Sequence, residues 1–266
     1  MILVILYNIC IVKDVVVSVV IPSYNEMANL QKGPLVKVKS YLEKQIYNYE
    51  VIVVDDGSTD GSREFVSKFA SENKKFKLIK NEHMGKAGAV TTGVLEAKGD
   101  YILFSDMDQA TPIEEIGKLF PYFSEGFDIV IGSRAGTRRG APISRKIMAE
   151  GMIILRSFLV GIGEVKDTQC GFKMFTRKAG RDVFEKVKKI HNGFRSISGS
   201  SVTAGFDIEI LYVAKQKKYK IKEVPVEWLY VETRRVSPIR DSIEGVLDLL
   251  RIRKNIMSGV YSNKNA

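Results

Sequence analysis

Two pairs of aspartates in this 266-residue chain each follow a run of apolar residues. Asp55 and Asp56 come directly after VIVV, and Asp106 and Asp108 lie in SDMD, at the end of YILFS. A carboxylate buried at the end of a strand costs free energy unless a hydrogen-bond donor or a cation compensates for it. Two carboxylates separated by one residue just after a strand can both reach one hard cation, and Mg²⁺ and Mn²⁺ prefer oxygen ligands. This spacing makes Asp106 and Asp108 candidate ligands of a divalent metal ion.

Taken alone, each acidic pair has a second interpretation. A D-x-D segment also occurs in solvated turns, and adjacent acids after a strand also occur in phosphatases and phospho-acceptor domains. Asp55 or Ser58 could instead cap the helix that is predicted to begin near Ser62. Asp60 is the better candidate for this cap, which would leave Asp55 and Asp56 able to accept hydrogen bonds from a ligand.

The elements that must position these acids alternate between strand and helix. Apolar runs predict strands, and apolar residues three and four apart predict helices. The predicted strands cover 15–21, 50–54, 76–79, 101–105 and 127–133, with short strands near 171–175 and 221–230. The predicted helices lie before residue 45 and at 62–70, 84–97, 113–123, 144–160, 178–187, 205–217 and 240–254. This order predicts an α/β fold with a Rossmann-like, mostly parallel sheet and helices on both faces.

Three polar segments follow predicted strands at the point where each strand ends. These segments are 22–26, 55–60 and 106–108. In open α/β sheets, ligands bind beyond the carboxyl ends of the strands. We therefore expect all three segments to meet at one edge of the sheet, where a charged ligand would bind.

The chain is basic, with 41 lysines and arginines against 31 acidic residues and a net charge of +10. This balance favours a polyanionic partner: a nucleic acid, an anionic membrane or a phosphorylated substrate. No RNA-binding signature, zinc-finger spacing or basic zipper region is present, which argues against nucleic acid. Cys10 and Cys170 are too few for a disulfide framework or a cysteine-rich metal site, and they are typical of a reducing compartment.

Three segments bear on membrane association. Residues 1–12 are apolar, and residues 147–163 are apolar apart from Glu150 and Arg156. A membrane-spanning helix needs about 20 apolar residues, so we predict no spanning segment, although either stretch could contact a bilayer. The segment 240–254 combines apolar and basic residues, and we expect it either to lie on lipid headgroups or to pack as a core helix.

Five polar segments, in a fixed order along the chain, carry a more specific signal. They are PSYNE (22–26), DDGSTDGS (55–62), GKAGAV (85–90), DMD (106–108) and GSR (132–134). With these segments the sequence resembles the family 2 glycosyltransferases, inverting enzymes of the GT-A fold that use nucleotide-diphosphate sugars. Three later segments are similar to the dolichyl-phosphate glucosyltransferase branch of the polyprenyl-phosphate glycosyltransferases: KDTQCGFKMFTR (166–177), FDIEILYVA (206–214) and EVPVEW (223–228).

The resemblance spans about residues 16–254 and implies a single glycosyltransferase domain over 15–254. Its first half, 15–135, would bind the nucleotide sugar, and its second half, 136–254, would bind the acceptor. An apolar N-terminal segment and a tail would then lie outside the domain, at 1–14 and 255–266.

One departure from the family pattern concerns the residue two positions beyond the second acid of D-x-D. The mannosyl-phosphate synthases carry a glutamine there as a further metal ligand. This chain has Ala110 at that position, with Gln109 one position earlier. The difference favours the glucosyltransferase branch over a mannose donor.

The resemblance also implies a role for each matched residue. The residues expected to bind the nucleotide sugar are Pro22, Tyr24, Glu26, Asp55, Asp56 and Lys86, and Asp106 and Asp108 would hold Mg²⁺ or Mn²⁺ against its diphosphate. On the acceptor side, Arg134 and Arg145 would hold a lipid phosphate, and Asp167, Gln169 and Lys173 would border the sugar pocket. The expected catalytic set is Asp108, Arg134, Arg145 and Asp207.

Several neighbouring residues have interpretations that remain open in the sequence. Arg138 and Arg139 either join the phosphate site or lie on a solvated loop, and Glu209 is expected to be structural. Cys170 is expected to be a small packed residue. Both histidines, His83 and His191, stand apart from any residue that would make them ligands or catalytic groups.

The expected reaction is the inverting transfer of a hexose, glucose from UDP-glucose, to a polyprenyl phosphate at the membrane surface. A phosphate monoester is already an anion at neutral pH, so it can attack the anomeric carbon without a base. The expected location is the cytoplasmic face of a membrane, as a peripheral protein, or the cytoplasm.

Three alternatives stay open. A glycosyltransferase with a sugar-hydroxyl acceptor would need a base, for which Asp207 is the candidate, and a mannosyl-phosphate-type synthase would use a different donor. A nucleotidyltransferase or a non-transferring sugar-nucleotide-binding module belongs to another class. The segment PSYNEMANL argues against that class, because nucleotidyltransferases usually have a glycine-rich basic loop at this position.

Overall fold

The computed structural model describes residues 16–134, 143–194, 204–229 and 238–262. The strands are β1 (Val16–Ser23), β2 (Asn48–Asp55), β3 (Phe76–Lys80), β4 (Tyr101–Ser105), β5 (Ile129–Ser133), β6 (Phe172–Thr176) and β7 (Ile221–Pro225). The helices are α1 (Met27–Leu30), α2 (Pro34–Leu42), α3 (Ser62–Glu72), α4 (Gly85–Glu96), α5 (Ile116–Ser124), α6 (Ile143–Val160), α7 (Arg177–Ile190), α8 (Ala204–Gln216) and α9 (Pro238–Met257).

The strands form one seven-stranded sheet in the order β3-β2-β1-β4-β6-β5-β7. Among these strands only β6 runs antiparallel to its neighbours, so the sheet is mostly parallel, as the sequence predicts. β6 comes from the less regular second half of the chain, yet it lies between β4 and β5. The second half therefore completes the sheet instead of lying beside it.

Helices cover both faces of the sheet because its strands carry apolar residues on both faces, in nearly continuous runs. One face packs Val20, Ile52 and Phe104 against a buried cluster that includes residues of α4, α7 and α8. The other face packs its apolar residues against α2 and α5. Helix α4 lies especially close to β1, since a Cβ atom at Gly93 would come within 2.3 Å of Val20 Cγ1. The predicted α/β layering is thus confirmed.

The carboxyl ends of β1, β2 and β4 meet at one edge of the sheet. These strands are adjacent and parallel, and Ser23, the last residue of β1, pairs in register with Asp55, the last residue of β2. The backbone N–H of Asp56 donates to the carbonyl of Ser23 at 2.8 Å. The polar segments that follow these strands therefore start from the same edge.

Helix α9 has apolar residues on both its buried and its exposed face. Helix α9 buries Leu249 and Ile252 but exposes Ile243, Leu247 and Leu250, so it is both a packed helix and a source of exposed apolar surface. None of the helices in the described ranges combines the length and apolar character that crossing a membrane would require.

Candidate active site

Asp55 is fully buried at the end of β2, and within the described residues one of its two carboxylate oxygens accepts hydrogen bonds. Its Oδ2 accepts hydrogen bonds from Arg63 Nε at 2.7 Å and from the backbone N–H of Ser58 at 3.4 Å. Its Oδ1 is buried and has no hydrogen-bond partner among the residues that the structure describes. An unpaired buried acceptor is costly, so this oxygen marks a position where a donor group of a ligand would be stabilised.

Asp56 is also buried, but both of its oxygens bond to the protein. Oδ1 accepts from the backbone N–H of Met84 at 2.9 Å, and Oδ2 accepts from that of Gly85 at 2.7 Å. The Oδ2 atom is also 2.8 Å from His83 Nδ1. Burial raises the pKa of Asp56, and the bonds from Met84 and His83 oppose that rise. Asp56 therefore caps the start of α4 in this structure, and its expected contact with the nucleotide sugar stays a prediction.

His83 is not isolated, contrary to its appearance in the sequence. Besides bonding Asp56, its ring stacks on Tyr24 with 4.1 Å between the ring centroids. His191 also has a partner, since its Nε2 is 2.5 Å from Glu209 Oε2, and Tyr261 donates to the other oxygen of Glu209 at 2.6 Å. Glu209 is thus structural, as expected, and it anchors α8.

Three acids follow β1 and β4 and form what we call the acidic cluster: Glu26, Asp106 and Asp108. Burial raises the pKa values of Glu26 and Asp108, and the negative charge of Asp106 raises both further. Lys86 Nζ lies 2.6 Å from Asp106 Oδ1. Burial alone would lower the pKa of Lys86, but the charges of Asp106, Asp207 and Asp108 outweigh it and raise that pKa.

The loop that carries Asp106 is held by two residues whose roles the sequence did not indicate. Gln109 has a left-handed backbone, with φ +52°, and its Nε2 donates to Ser105 Oγ at 3.0 Å and to the carbonyl of Asp106 at 2.8 Å. The Asp106 carboxylate lies against Gly171, where a Cβ atom would come within 1.9 Å of Asp106 Oδ2. Only a glycine leaves room for the carboxylate at this position.

The carboxylate oxygens of the acidic cluster are suitable ligands for a hard divalent cation. Burial and the negative charge of Asp106 raise the pKa of Asp108, and a bound cation would offset that repulsion. No group of three or more His, Cys, Asp or Glu side chains in the described residues is arranged to hold an ion by itself. Asp106 and Asp108 would therefore supply two ligands and leave the other positions to substrate oxygens and water, as is usual for Mg²⁺.

Lys173 and Asp207 form an ion pair beneath the acidic cluster. Lys173 lies in β6 and is 0% exposed, and its Nζ donates to Asp207 Oδ1 at 2.5 Å and to the carbonyl of Cys170 at 2.6 Å. Asp207 lies in the first turn of α8. The buried ammonium bonds these two protein acceptors, and the expected place of Lys173 at the border of the sugar pocket stays a prediction. Cys170 is buried, as expected for a packed residue.

Arg134 and Asp167 bond to each other across the end of β5. Arg134 Nε and Nη2 donate to the two carboxylate oxygens, each at 2.7 Å, and the Arg134 backbone N–H donates to Oδ2 at 2.9 Å. The guanidinium also lies 6.0 Å from the ring centroid of Trp228. Nε and Nη2 of Arg134 thus bond Asp167 in this structure, and the expected contact of Arg134 with a lipid phosphate stays a prediction.

The other predicted acceptor residues are described less completely. Arg145 lies in α6, but its side chain is outside the described part of the structure, as are Arg138 and Arg139 altogether. Gln169 is exposed in the loop before β6, and Pro22 and Tyr24 are half-buried at the edge near Asp55.

Comparisons with known proteins identify the family of this chain. The profile of the family described as "Glycosyl transferase family 2" matches residues 18–186. The chain is 32% identical to the dolichyl-phosphate beta-glucosyltransferase of Saccharomyces cerevisiae, over 94% of this chain and 77% of that protein.

Solved structures share the fold at low sequence identity. Mannosyl-3-phosphoglycerate synthase from Rubrobacter xylanophilus superposes with a TM-score of 0.62 at 18% identity, over 92% of this chain and 75% of that one. The mannosyltransferase PcManGT from Pyrobaculum calidifontis, solved with GDP-Man and Mn²⁺, gives 0.52 at 16% identity, over 92% and 72%. These neighbours are GT-A glycosyltransferases, and one of them was solved with a divalent metal ion. The profile match and the identity to the yeast enzyme show that this chain belongs to glycosyltransferase family 2.

Proposed function

We propose that this protein transfers glucose from UDP-glucose to a polyprenyl phosphate, such as dolichyl phosphate, with inversion at the anomeric carbon. The observation that carries the proposal is the unpaired Oδ1 of Asp55 on the same sheet edge as the acidic cluster and Lys86. The base or ribose of the nucleotide would bind at Asp55, and its diphosphate would bind beside the acidic cluster and Lys86. The acceptor and the sugar follow from similarity to enzymes named dolichyl-phosphate beta-glucosyltransferase.

The residues that would bind the nucleotide sugar form two groups: those that recognise the nucleotide and those that face its diphosphate. Asp55 would accept a hydrogen bond from the base or ribose, beside Pro22, Tyr24 and Glu26. Asp106 and Asp108 would hold Mg²⁺ or Mn²⁺, which supplies positive charge to the leaving diphosphate. Lys86 would add a second positive charge at the start of α4.

The reaction needs no general base in this scheme. An oxygen of the lipid phosphate forms a bond to the anomeric carbon, the bond from that carbon to the diphosphate breaks, and UDP leaves with the electron pair. Asp207 Oδ1 accepts from Lys173 at 2.5 Å, which suits a positioning role better than proton abstraction. Arg145 and Arg134 would hold the lipid phosphate at the acceptor half, 136–254.

The proposal includes peripheral attachment to a membrane through an α6–α9 surface. Helices α6 and α9 pack together, and both expose large apolar side chains: Ile154 and Phe158 on α6, and Ile243, Leu247 and Leu250 on α9. The basic residues Arg251, Arg253 and Lys254 lie on the same segment of α9. Apolar groups with adjacent cations are what an anionic lipid interface binds.

We expect Phe158→Asp and Leu247→Glu each to weaken binding to anionic lipid vesicles by about tenfold, because burying one such side chain contributes roughly 1.5–3 kcal/mol. Phe158 is 83% and Leu247 56% exposed, so neither change should unfold the protein. Vesicle co-sedimentation measures the effect. Val36→Asp, at a residue 55% exposed on α2, is the matched control and should bind as wild type does. Equal binding by all four proteins would exclude this surface.

The transfer assay tests the proposed function directly. Purified protein is incubated with dolichyl phosphate, Mn²⁺ and radiolabelled UDP-glucose or GDP-mannose, and the lipid is extracted. Label in lipid from UDP-glucose, loss of transfer with EDTA, and release of UDP instead of pyrophosphate are the expected results. Asp106→Asn should abolish transfer, whereas Asp100→Asn, at the opposite end of β4, should not. Absence of labelled lipid with every donor would refute the proposal, and label on a sugar hydroxyl would favour the other acceptor class.

A further inference from the structure

Two ion pairs, Lys86–Asp106 and Lys173–Asp207, lie beside the Phe104 ring. Lys86 bonds Asp106 at 2.6 Å, and Lys173 bonds Asp207 at 2.5 Å. Both ammonium groups also face the Phe104 ring, with Nζ 5.2 Å from its centroid for Lys86 and 5.6 Å for Lys173. The charges of Asp106 and Asp207 both raise the pKa of Lys86 against the effect of burial. Lys86 is therefore attracted by two carboxylates, and among the described residues Asp207 is also paired with a second ammonium, that of Lys173.

We propose that Lys173 is a positioning residue for donor binding, which neutralises Asp207 so that Lys86 stays on Asp106 and faces the diphosphate. The inference deepens the proposed function and rests on it. Lys173 touches no substrate and acts through Asp207 and Lys86.

The position of Lys173 supports a role for its charge. It lies in β6 between Phe172 and Met174, in the middle of the sheet, where an apolar residue would ordinarily be found. A buried ammonium is tolerated only when it is paired and hydrogen-bonded, and its two acceptors are Asp207 and the carbonyl of Cys170. The pair is therefore a fixed charge arrangement and not a flexible surface contact.

Removing only Lys173 would leave Asp207 as a buried, uncompensated carboxylate. Lys86 is the cation that already interacts with Asp207. We expect Lys86 to move toward Asp207 in that case, which would withdraw positive charge from Asp106 and from the donor diphosphate. Removing the Asp207 charge as well would leave Lys86 on Asp106.

The test compares wild type with Lys173→Met, Asp207→Asn and the double variant, using the dissociation constant of UDP-glucose with Mn²⁺ by calorimetry. We expect Lys173→Met to weaken donor binding about tenfold and the double variant to return to within about threefold of wild type. Lys215→Met, which removes an exposed ion pair of α8 with Glu164 at 2.5 Å, is the matched control and should bind normally. If the double variant binds as weakly as Lys173→Met, or more weakly, the inference is wrong.

A second double-mutant cycle tests whether the effect of Lys173→Met on donor affinity depends on Lys86. Once Lys86→Met is present, Lys173→Met should change donor affinity by less than about twofold, because the group it acts on is gone. Additive effects would overturn the inference. If Lys173→Met alone does not fold, by its thermal unfolding curve, the double variant decides, since it has no buried unpaired charge and must bind donor as wild type does.

The experiments distinguish failure of the inference about Lys173 from failure of the proposed function. If wild type binds UDP-glucose but labels no lipid, the acceptor assignment fails while the cycle still decides the role of Lys173. If wild type binds no nucleotide sugar, both are wrong.

Discussion

Replacing Gly171 with alanine is expected to reduce the rate of glucosyl transfer by about 100-fold or more. The new Cβ atom would lie 1.9 Å from Asp106 Oδ2 and 2.5 Å from Asp106 Cγ, so the carboxylate must rotate away or the loop before β6 must shift. Either change moves one of the two proposed metal ligands. Changes in residues that only support a ligand already cost roughly 10- to 100-fold in affinity or activity, and here the ligand itself is displaced.

Two measurements separate this effect from unfolding. Mn²⁺ binding, followed by electron paramagnetic resonance, should weaken in parallel with the transfer rate, while the thermal midpoint should change little, since Asp106 is partly exposed. Gly151→Ala is the matched control, because a Cβ atom there meets nothing within 4 Å. A Gly171→Ala protein with wild-type Mn²⁺ affinity would show that Asp106 does not bind the metal.

The arrangement of strands was predictable because it depends on local patterns. The β-branched runs before Pro22 and Asp55 can only be buried strands, and alternation with amphipathic helices requires a parallel sheet. From that sheet it follows that 22–26, 55–60 and 106–108 start from one edge. The place of β6 could not be predicted in this way, because the direction of a short strand depends on long-range packing of Phe172 and Phe175 and not on its own sequence.

The partners within the site were less predictable than its location. The bond of His83 to Asp56, and its stacking on Tyr24, join residues from three separate loops. Nothing in the spacing of these residues indicates contact. The same is true of the Arg134–Asp167 pair. A sequence identifies residues that can do chemistry, but whether the protein itself already uses their hydrogen-bonding groups depends on tertiary structure.

Asp55 and Asp56 illustrate the difference, and they carry the second prediction. They are adjacent, buried and identical in type, yet Asp56 satisfies both oxygens within the protein, whereas Asp55 keeps Oδ1 without a partner among the described residues. We expect Asp55→Ala to weaken UDP-glucose binding by about 10- to 100-fold, since a hydrogen bond to a charged group contributes roughly 1.5–3 kcal/mol. Arg63, which loses its partner, is partly exposed and can be solvated.

The inhibition constant of free UDP shows whether Asp55 binds the nucleotide or the sugar. If Asp55 binds the nucleotide, its loss should raise the inhibition constant of UDP by the same factor as the dissociation constant of UDP-glucose. Asp56→Ala provides the contrast, because it removes the cap of α4 and should lower the free energy of unfolding by about 2 kcal/mol. An Asp55→Ala protein that binds UDP normally but UDP-glucose weakly would assign Asp55 to the sugar, and normal binding of both would leave its buried oxygen without a ligand.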